Sequence, residues 1–356
     1  MLKISFPQLG DYSSPISFLL KKCVGEDKIF RPLPITKKTL DLGSKYAPDS
    51  VCLPFKYNLG NFIESLNEGC NCLIQAGGGC RYGYYGEVQE KILRDLGYDF
   101  EFINISKNNK LSPLTVYKGL KKVNKDLGFG AFVYYGLTTL MMIEYMDNID
   151  NYIRLNVGFE EEKDSFYKLK KEMLKNFENN KGLFSLTRMF FKYKKLFKKL
   201  KTKVPKNCLK VGVIGELYTS MEGFSTFYLE KELAKMGIRV KRFTNASYLL
   251  YKKRLSFRKI LRRSKKYVKY KLGADGLDNV YRAIKLIDDG YDGIIHIKPF
   301  GCTPEISAIP IIQRVCNDKH FPIIFLSFDS QTSEEGIKTR LEAFYEMIKE
   351  KRNLND

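Results

Sequence analysis

Apolar and polar positions along the chain alternate between two textures. Short, nearly continuous apolar runs such as CNCLIQA, DFEFINI, LKVGVIGEL, YDGIIHIKPF and FPIIFLSFD are bounded by Gly, Pro, Asp or Asn. Between them lie longer stretches with apolar residues at helical spacing, such as GEVQEKILRDL, LDNVYRAIKLIDDG and EISAIPIIQRVCNDK. The first texture predicts buried strands and the second amphipathic helices. In the N-terminal part the order reads strand LKISF, a helix starting between Pro15 and Cys23, extended KIFRPLP, and helical ITKKTLDLGSKY. A helix from Asn61 to Gly69, the strand CNCLIQA, a helix from Gly86 to Leu96 stopped by Gly97, and the strand DFEFINI follow. The pattern restarts at Lys210. There LKVGVIGEL, IRVKRFT, YDGIIHIKPF and FPIIFLSFD read as strands. FSTFYLEKELAKMG, LDNVYRAIKLIDDG, EISAIPIIQRVCNDK and the terminal EEGIKTRLEAFYEMIKEKR read as helices. Strands alternating with helices of this length imply an α/β protein whose mostly parallel sheets are covered on both faces. The same grammar in both blocks predicts two Rossmann-like or flavodoxin-like domains.

The stretch between the blocks lacks strand signals and carries long amphipathic patterns, LTVYKGLKKVNKDLG and FYKLKKEMLKNF among them. The expected organisation is therefore an N-terminal α/β domain over 1–111, a helical connecting segment over 112–207, and a C-terminal α/β domain over 208–356. Within the connection, AFVYYGLTTLMMIEY is apolar enough to predict burial between the domains. A length of 356 residues and a 44% hydrophobic fraction suit two cores. No apolar run reaches membrane-spanning length and the N-terminus lacks a signal-peptide pattern, so the expectation is a soluble, cytoplasmic protein with no membrane partner.

Charge changes the picture locally. The formal net charge is +21. Lys192 to Lys210 holds nine lysines and no acid, and Lys252 to Lys271 holds eleven basic residues and no acid. Such blocks attract phosphate-rich partners with strong salt dependence, or form solvated helix faces. No zinc-finger, RNA-recognition or helix-turn-helix spacing accompanies them, so a nucleic-acid partner is not expected.

The candidate chemistry lies in sulfur. Eight cysteines in a chain of this length do not make a disulfide scaffold, and the two histidines, His296 and His320, leave little material for a His-based metal site or a Ser-His-Asp triad. In open α/β sheets, ligands bind beyond the carboxyl ends of the strands. Cys80 follows a strand through Gly77-Gly78-Gly79, Cys302 follows a strand in the turn PFGCTPE, and Cys52 lies in SVCLPFK ahead of a helix. Gly or Pro flanks each, and a following helix start favours a thiolate. Three thiolates from two blocks suit an iron–sulfur cluster better than zinc, leaving one iron without a protein ligand. The alternative is that these are ordinary buried cysteines. Cys70 and Cys72 form C-x-C on a strand and read as core filler, as do Cys23, Cys208 and Cys316. Gly212 and Gly215 are a fragment of a dinucleotide fingerprint or simply strand–helix packing. Tyr82, Tyr84 and Tyr85 line a pocket or pack at a helix edge. No residue is assigned a catalytic role.

Taken together, CLPFKYNLGNFIE, GGGCRYGYYGEVQEKILRDLGYDFEFI, VGVIGELY, IKPFGCTPEI and EEGIKTRLEAF resemble the 2-hydroxyacyl-CoA dehydratase superfamily, and within it the branch of acyl-CoA dehydratase activase-related proteins. The resemblance covers both α/β blocks. It implies paired Rossmann-like domains and an oxygen-sensitive cluster, usually [4Fe-4S], held by three cysteines, which carry over to Cys52, Cys80 and Cys302. It also implies an ATP-hydrolysing activase protein as electron donor, an acyl-CoA substrate, and a homo- or hetero-dimer. Arg81 and Lys56, next to the ligands, would balance the cluster's charge or meet a CoA or carboxylate group. The chain departs from the family pattern in two places. GGGCRYG replaces the more usual G-P-C-R-x-G, and Ser330 or Gln331 stands where the family has an acid. Two rival readings are a non-catalytic electron carrier or scaffold in an activase complex, and a polyanion binder that uses the two basic runs.

Overall fold

The computed structural model describes residues 2–106, 111–270 and 272–353. Lys271, the end of the second basic run, lies outside them. In chain order the first elements are β1 (Ile4–Ser5), α1 (Ser13–Val24), α2 (Lys37–Tyr46), α3 (Leu53–Asn67), β2 (Cys72–Gln75), α4 (Tyr85–Asp95) and β3 (Glu101–Asn104). Four helices follow: α5 (Pro113–Val123), α6 (Phe129–Asn156), α7 (Ser165–Glu178) and α8 (Leu183–Lys199). The chain then forms β4 (Lys210–Gly215), α9 (Leu217–Met221), α10 (Leu229–Lys235), β5 (Arg239–Arg242), α11 (Lys253–Ser264), α12 (Gly276–Asp288), β6 (Gly293–Pro299), α13 (Thr303–Asp318), β7 (Ile323–Phe328) and α14 (Glu334–Asn353). By contacts the chain divides into two units. One comprises Met1–Ile143 with Met173–Phe191, the other Glu144–Glu172 with Lys192–Asp356, so α6, α7 and α8 contribute to both.

The first unit is built on a parallel sheet of order β1-β2-β3. Alternation along β2 explains its two cores. Cys72 and Ile74 face Ile4, Phe6, Leu20 and Leu120, whereas Leu73 faces Phe55, Phe62, Tyr85 and Leu93. The second unit is a parallel sheet of order β5-β4-β6-β7, the doubly wound order in which the chain direction reverses between β4 and β6. On one face Ile214 and Ile294 pack against Val280, Ala283 and Leu286 of α12 and Ala308 and Ile312 of α13. The chain is thus α/β with two parallel sheets, as expected for Rossmann-like or flavodoxin-like domains.

Three local expectations are corrected. The helix expected from Asn61 begins at Leu53 instead. Pro54 sits in its first turn, where a missing N–H costs nothing. Gly60 lies where α3 crosses α2, and a Cβ there would come within 1.9 Å of the Thr39 carbonyl oxygen. Pro54 thus serves initiation and Gly60 serves packing. The helix expected over FSTFYLEKELAKMG is broken at Phe227 and Tyr228, whose φ angles are 51° and 53°. It falls into a 3-10 turn and the short α10. The apolar stretch of α6 is only half buried. Phe132, Met142 and Ile143 are inside, but Phe129, Val133, Tyr134, Leu137, Leu140 and Met141 are exposed, because packing on one side covers only one stripe of a helix. Among the described residues, no helix is long and apolar enough to cross a membrane.

Candidate functional site

In the second unit, the turns after β4 and β6 flank the point where strand order reverses, the usual ligand position of this architecture. The turn after β6 places Cys302. Gly301 takes φ 76°, a left-handed conformation open to glycine, and Cys302 becomes the N-cap of α13 with Pro304 in the first turn. Its backbone N–H bonds to the Pro299 carbonyl at 3.2 Å, and the Phe300 N–H bonds to the Phe328 carbonyl at 2.7 Å, so β7 holds the turn.

Behind Cys302 lies a buried polar network. Glu305, the third residue of α13, turns inward and is 1% exposed. Its Oε2 lies 2.7 Å from His296 Nε2, and both carboxylate oxygens accept from Asn279 Nδ2 at 2.9 and 3.0 Å. Asn279 also bonds both backbone groups of Gly215, and Arg282 donates to Asn279 Oδ1 at 3.0 Å and to the Thr244 hydroxyl. One cluster of side chains therefore ties together the turns after β4 and β6. Gly215 fits because a Cβ there would lie 1.8 Å from the Ile297 carbonyl, and at Gly212 it would strike Leu286. These two glycines are strand and helix packing.

Glu216 follows Gly215. Its carboxylate accepts from the backbone N–H groups of Tyr218 and Thr219 at 2.9 and 2.8 Å and from the Thr219 hydroxyl at 2.7 Å. Burial outweighs these bonds and, with some repulsion from Asp275, lifts the carboxyl to about 7. Glu216 thus titrates near neutrality beside the reversal point. Lys298, on β6 between His296 and Cys302, is buried, and desolvation pushes its ammonium below the usual lysine range while Cys302 and Glu305 pull the other way.

In the first unit, Cys52 is the N-cap of α3, and Cys80 is the N-cap of the 3-10 turn Arg81–Tyr84 that runs into α4. Cys52 Sγ lies 2.6 Å from the Tyr85 hydroxyl. Burial first, then the proximity of Cys52 and Cys80, raises the Tyr85 phenol far above its ordinary value, and Arg81 opposes this. The phenol therefore stays protonated, and either it or the Cys52 thiol supplies the shared hydrogen. Tyr85 also stacks edge-on to Phe55 and contacts Tyr82, whose hydroxyl accepts from Asn58 Nδ2 at 2.8 Å. Tyr84 is exposed. Of the three glycines before Cys80, Gly77 is needed for close approach. Its N–H bonds to Ser106 Oγ at 3.0 Å, and a Cβ would come within 2.5 Å of that oxygen. Cys80 is exposed, its sulfur accepting from the Tyr82 N–H at 3.5 Å, and Arg81 donates to the Ser50 carbonyl.

The first unit thus brings Cys52, Cys80 and Arg81 around Tyr85, while Cys302 stands in the second. Among the described residues, no group of three or more His, Cys, Asp or Glu is assembled that could hold a metal ion. The other cysteines separate clearly in their chemistry. Burial pushes the thiols of Cys23, Cys72 and Cys316 up to about 12 and that of Cys70 to about 11, so these remain neutral, apolar filler. Cys208 is buried. The polar residues inside the strand GIIHIKP, and their partners Asn279 and Glu305, are absent from the sequence-based site. His and Lys in an otherwise apolar buried strand were the available signal.

The doubly wound parallel order makes the second unit an α/β domain of the flavodoxin-like type. Residues 260–348, from within α11 into α14, match the family described as 2-hydroxyglutaryl-CoA dehydratase, D-component. This match contains Cys302, His296, Lys298 and Glu305, and it supports a chain similar to a subunit of the 2-hydroxyacyl-CoA dehydratases. No curated protein matches the chain.

Proposed function

We propose that the chain is an iron–sulfur subunit of the 2-hydroxyacyl-CoA dehydratase type, of the activase-related branch. In this reading Cys52, Cys80 and Cys302 hold a low-potential [4Fe-4S] cluster. The observation that carries it is a shared position: each of the three sulfurs sits on an N-cap with extended backbone, at the start of a helical turn. Free N–H groups at such starts favour negative sulfur. When bound, a cluster of this kind supplies low-potential one-electron chemistry. The protein's own residues do the rest. The Tyr85 hydroxyl, which contacts the Cys52 sulfur, can donate to it as a thiolate, and Arg81 and Lys56 place positive charge beside the ligands. The electron donor is an ATP-hydrolysing activase protein, the substrate class is an acyl-CoA, and the chain works as a homo- or hetero-dimer in the cytoplasm.

The test is anaerobic purification with iron and sulfide reconstitution. Iron, sulfide and visible absorption should appear together, and Cys→Ala at positions 52, 80 and 302 combined should abolish them, while Cys70→Ala should not. A colourless protein after reconstitution refutes the reading. Acyl-CoA should then perturb the electronic spectrum, and a spectrum indifferent to acyl-CoA would leave an electron carrier instead.

A further inference from the structure

The first half of α6 is apolar all round. Charged residues make up 28% of the chain, yet residues 129–143 contain none. One stripe, with Phe132, Met142 and Ile143, is buried. The opposite stripe carries Phe129, Val133, Tyr134, Leu137, Leu140 and Met141, each between 36% and 57% exposed. These residues all belong to the first unit. A helix that is hydrophobic on every side is normally covered on every side. Here the described residues cover only the inner one.

Two further observations mark the outer stripe as a contact surface. Its polar member, Tyr134, is engaged within the same unit: the hydroxyl accepts from the Leu183 N–H at 3.2 Å, so its oxygen keeps a partner when water leaves. Gly136 lies inside α6, where glycine is costlier than alanine, and a Cβ there would meet nothing within 4 Å. A second helix laid along the stripe could approach closely at this point. The Tyr134 bond also sets the start of α8 beside the stripe. There Phe184 is 86% exposed, and Phe191, about two turns further on, shares its face of α8.

The size of this surface is that of an interface. At about 200 Å² for a large side chain in full exposure, the α6 stripe and Phe184 present roughly 700 Å². The largest apolar patch on a typical monomer is about 300–600 Å², whereas each partner in a standard interface buries about 800 Å². Charge selects the occupant. The net charge is +21, so two copies of the chain repel wherever charged surfaces meet. A charge-free apolar face is where they can join. An acidic partner would gain no Coulomb attraction there and would choose the basic runs.

We propose that this face joins two copies of the chain about a two-fold axis, α6 against α6. Val133, Leu137 and Leu140, spaced i, i+4 and i+7, form the seam of such a helix pair. The contact is isologous, the same stripe serving both copies. It assigns a surface to the homodimeric form of the reading above, and it forms with or without iron.

The experiment is sedimentation velocity on the full chain over a concentration series, at low and high salt. Wild type should form a dimer at micromolar concentration. Its dissociation constant should fall as salt rises, because salt screens the repulsion between two chains of charge +21. Leu137→Lys and Phe184→Lys place charge in the contact, and each should raise the dissociation constant by about tenfold or more. Leu255→Lys, the same change at an 81% exposed position on α11, should leave it unchanged. Under dilute, monomeric conditions all these chains should melt together, since each substituted side chain faces solvent. A wild type that stays monomeric throughout overturns the proposal, whether or not it binds vesicles of phosphatidylcholine and phosphatidylglycerol. So does a dimer indifferent to both Leu137→Lys and Phe184→Lys. Iron content after reconstitution of the same preparations keeps the two readings apart. A colourless dimer refutes the cluster alone, and an iron-loaded monomer refutes this contact alone.

Discussion

Cys52 Sγ and the Tyr85 hydroxyl stand 2.6 Å apart, joining the start of α3 to the start of α4. The ring of Tyr85 also packs edge-on against Phe55, with centroids 4.9 Å apart. The two contributions are separable. Tyr85→Phe removes one hydrogen bond and should cost about 1 kcal/mol in urea denaturation. Tyr85→Ala removes the ring as well and should cost about 3–5 kcal/mol. Equal losses in both variants would mean that the sulfur contact, rather than packing, holds this corner.

Glu216 makes stability depend on pH. Its carboxyl is raised to about 7, above its ordinary 4.5, chiefly by burial. Between these values the folded chain holds a proton that the unfolded chain has released. The contribution is therefore fully present below about pH 4.5, is lost as pH rises through about 7, and is constant above it. A shift of this size is worth roughly 3 kcal/mol. Urea denaturation from pH 5 to pH 8 should show wild type losing stability relative to Glu216→Gln by about that amount. Parallel pH profiles for the two chains would contradict it.

Much of this fold was legible in the sequence because its strands are short apolar runs closed by Gly or Pro. Hydrophobic pattern alone placed every strand of the second unit and the helices that separate most of them. The pattern misled where Gly and Pro have tertiary roles. Pro54 and Gly60 hid the first turns of α3, and with them the fact that Cys52 is a cap. Phe227 and Tyr228 carry no local signal for left-handed backbone, so the break before α10 could not be read. The three cysteines were visible through their flanking residues. The Glu305–His296–Asn279 network was not, because its members lie at positions 305, 296 and 279 and meet only when β6, α12 and α13 pack.

The crossing of α2 and α3 rests on Gly43 and Gly60. A Cβ at Gly60 would approach the Thr39 carbonyl oxygen to 1.9 Å, and the obstacle is backbone, which cannot rotate away. Gly60→Ala should therefore destabilise the chain by about 1–3 kcal/mol or more, despite alanine's higher helix propensity. Gly128→Ala, where nothing lies within 4 Å of the new Cβ, is the control and should be close to neutral. Denaturation midpoints for the two variants decide the matter, and a neutral Gly60→Ala would show that the helices do not cross this closely.

Glu305 is where the fold and the proposed site are most tightly joined. At the third position of a helix a glutamate normally reaches back to the N-cap. Here it points into the core instead, toward His296, which is 0% exposed, and Asn279, also 0% exposed. Removing it leaves His296, whose Nδ1 already lacks a partner, and the Asn279 amide without their shared acceptor. Glu305→Ala should therefore cost about 3–5 kcal/mol, the loss expected when one member of a buried polar pair is deleted. Glu305→Gln keeps an acceptor oxygen and the side-chain shape, and should cost only about 1–2 kcal/mol. The same network links Gly215 to the turn that carries Cys302, so the alanine variant should also lower iron retention after reconstitution, with the glutamine variant between it and wild type. Urea denaturation and iron content measured on the same preparations provide the check. Should Glu305→Ala cost no more than alanine at the exposed Glu346, the network would be incidental to both stability and the Cys302 turn.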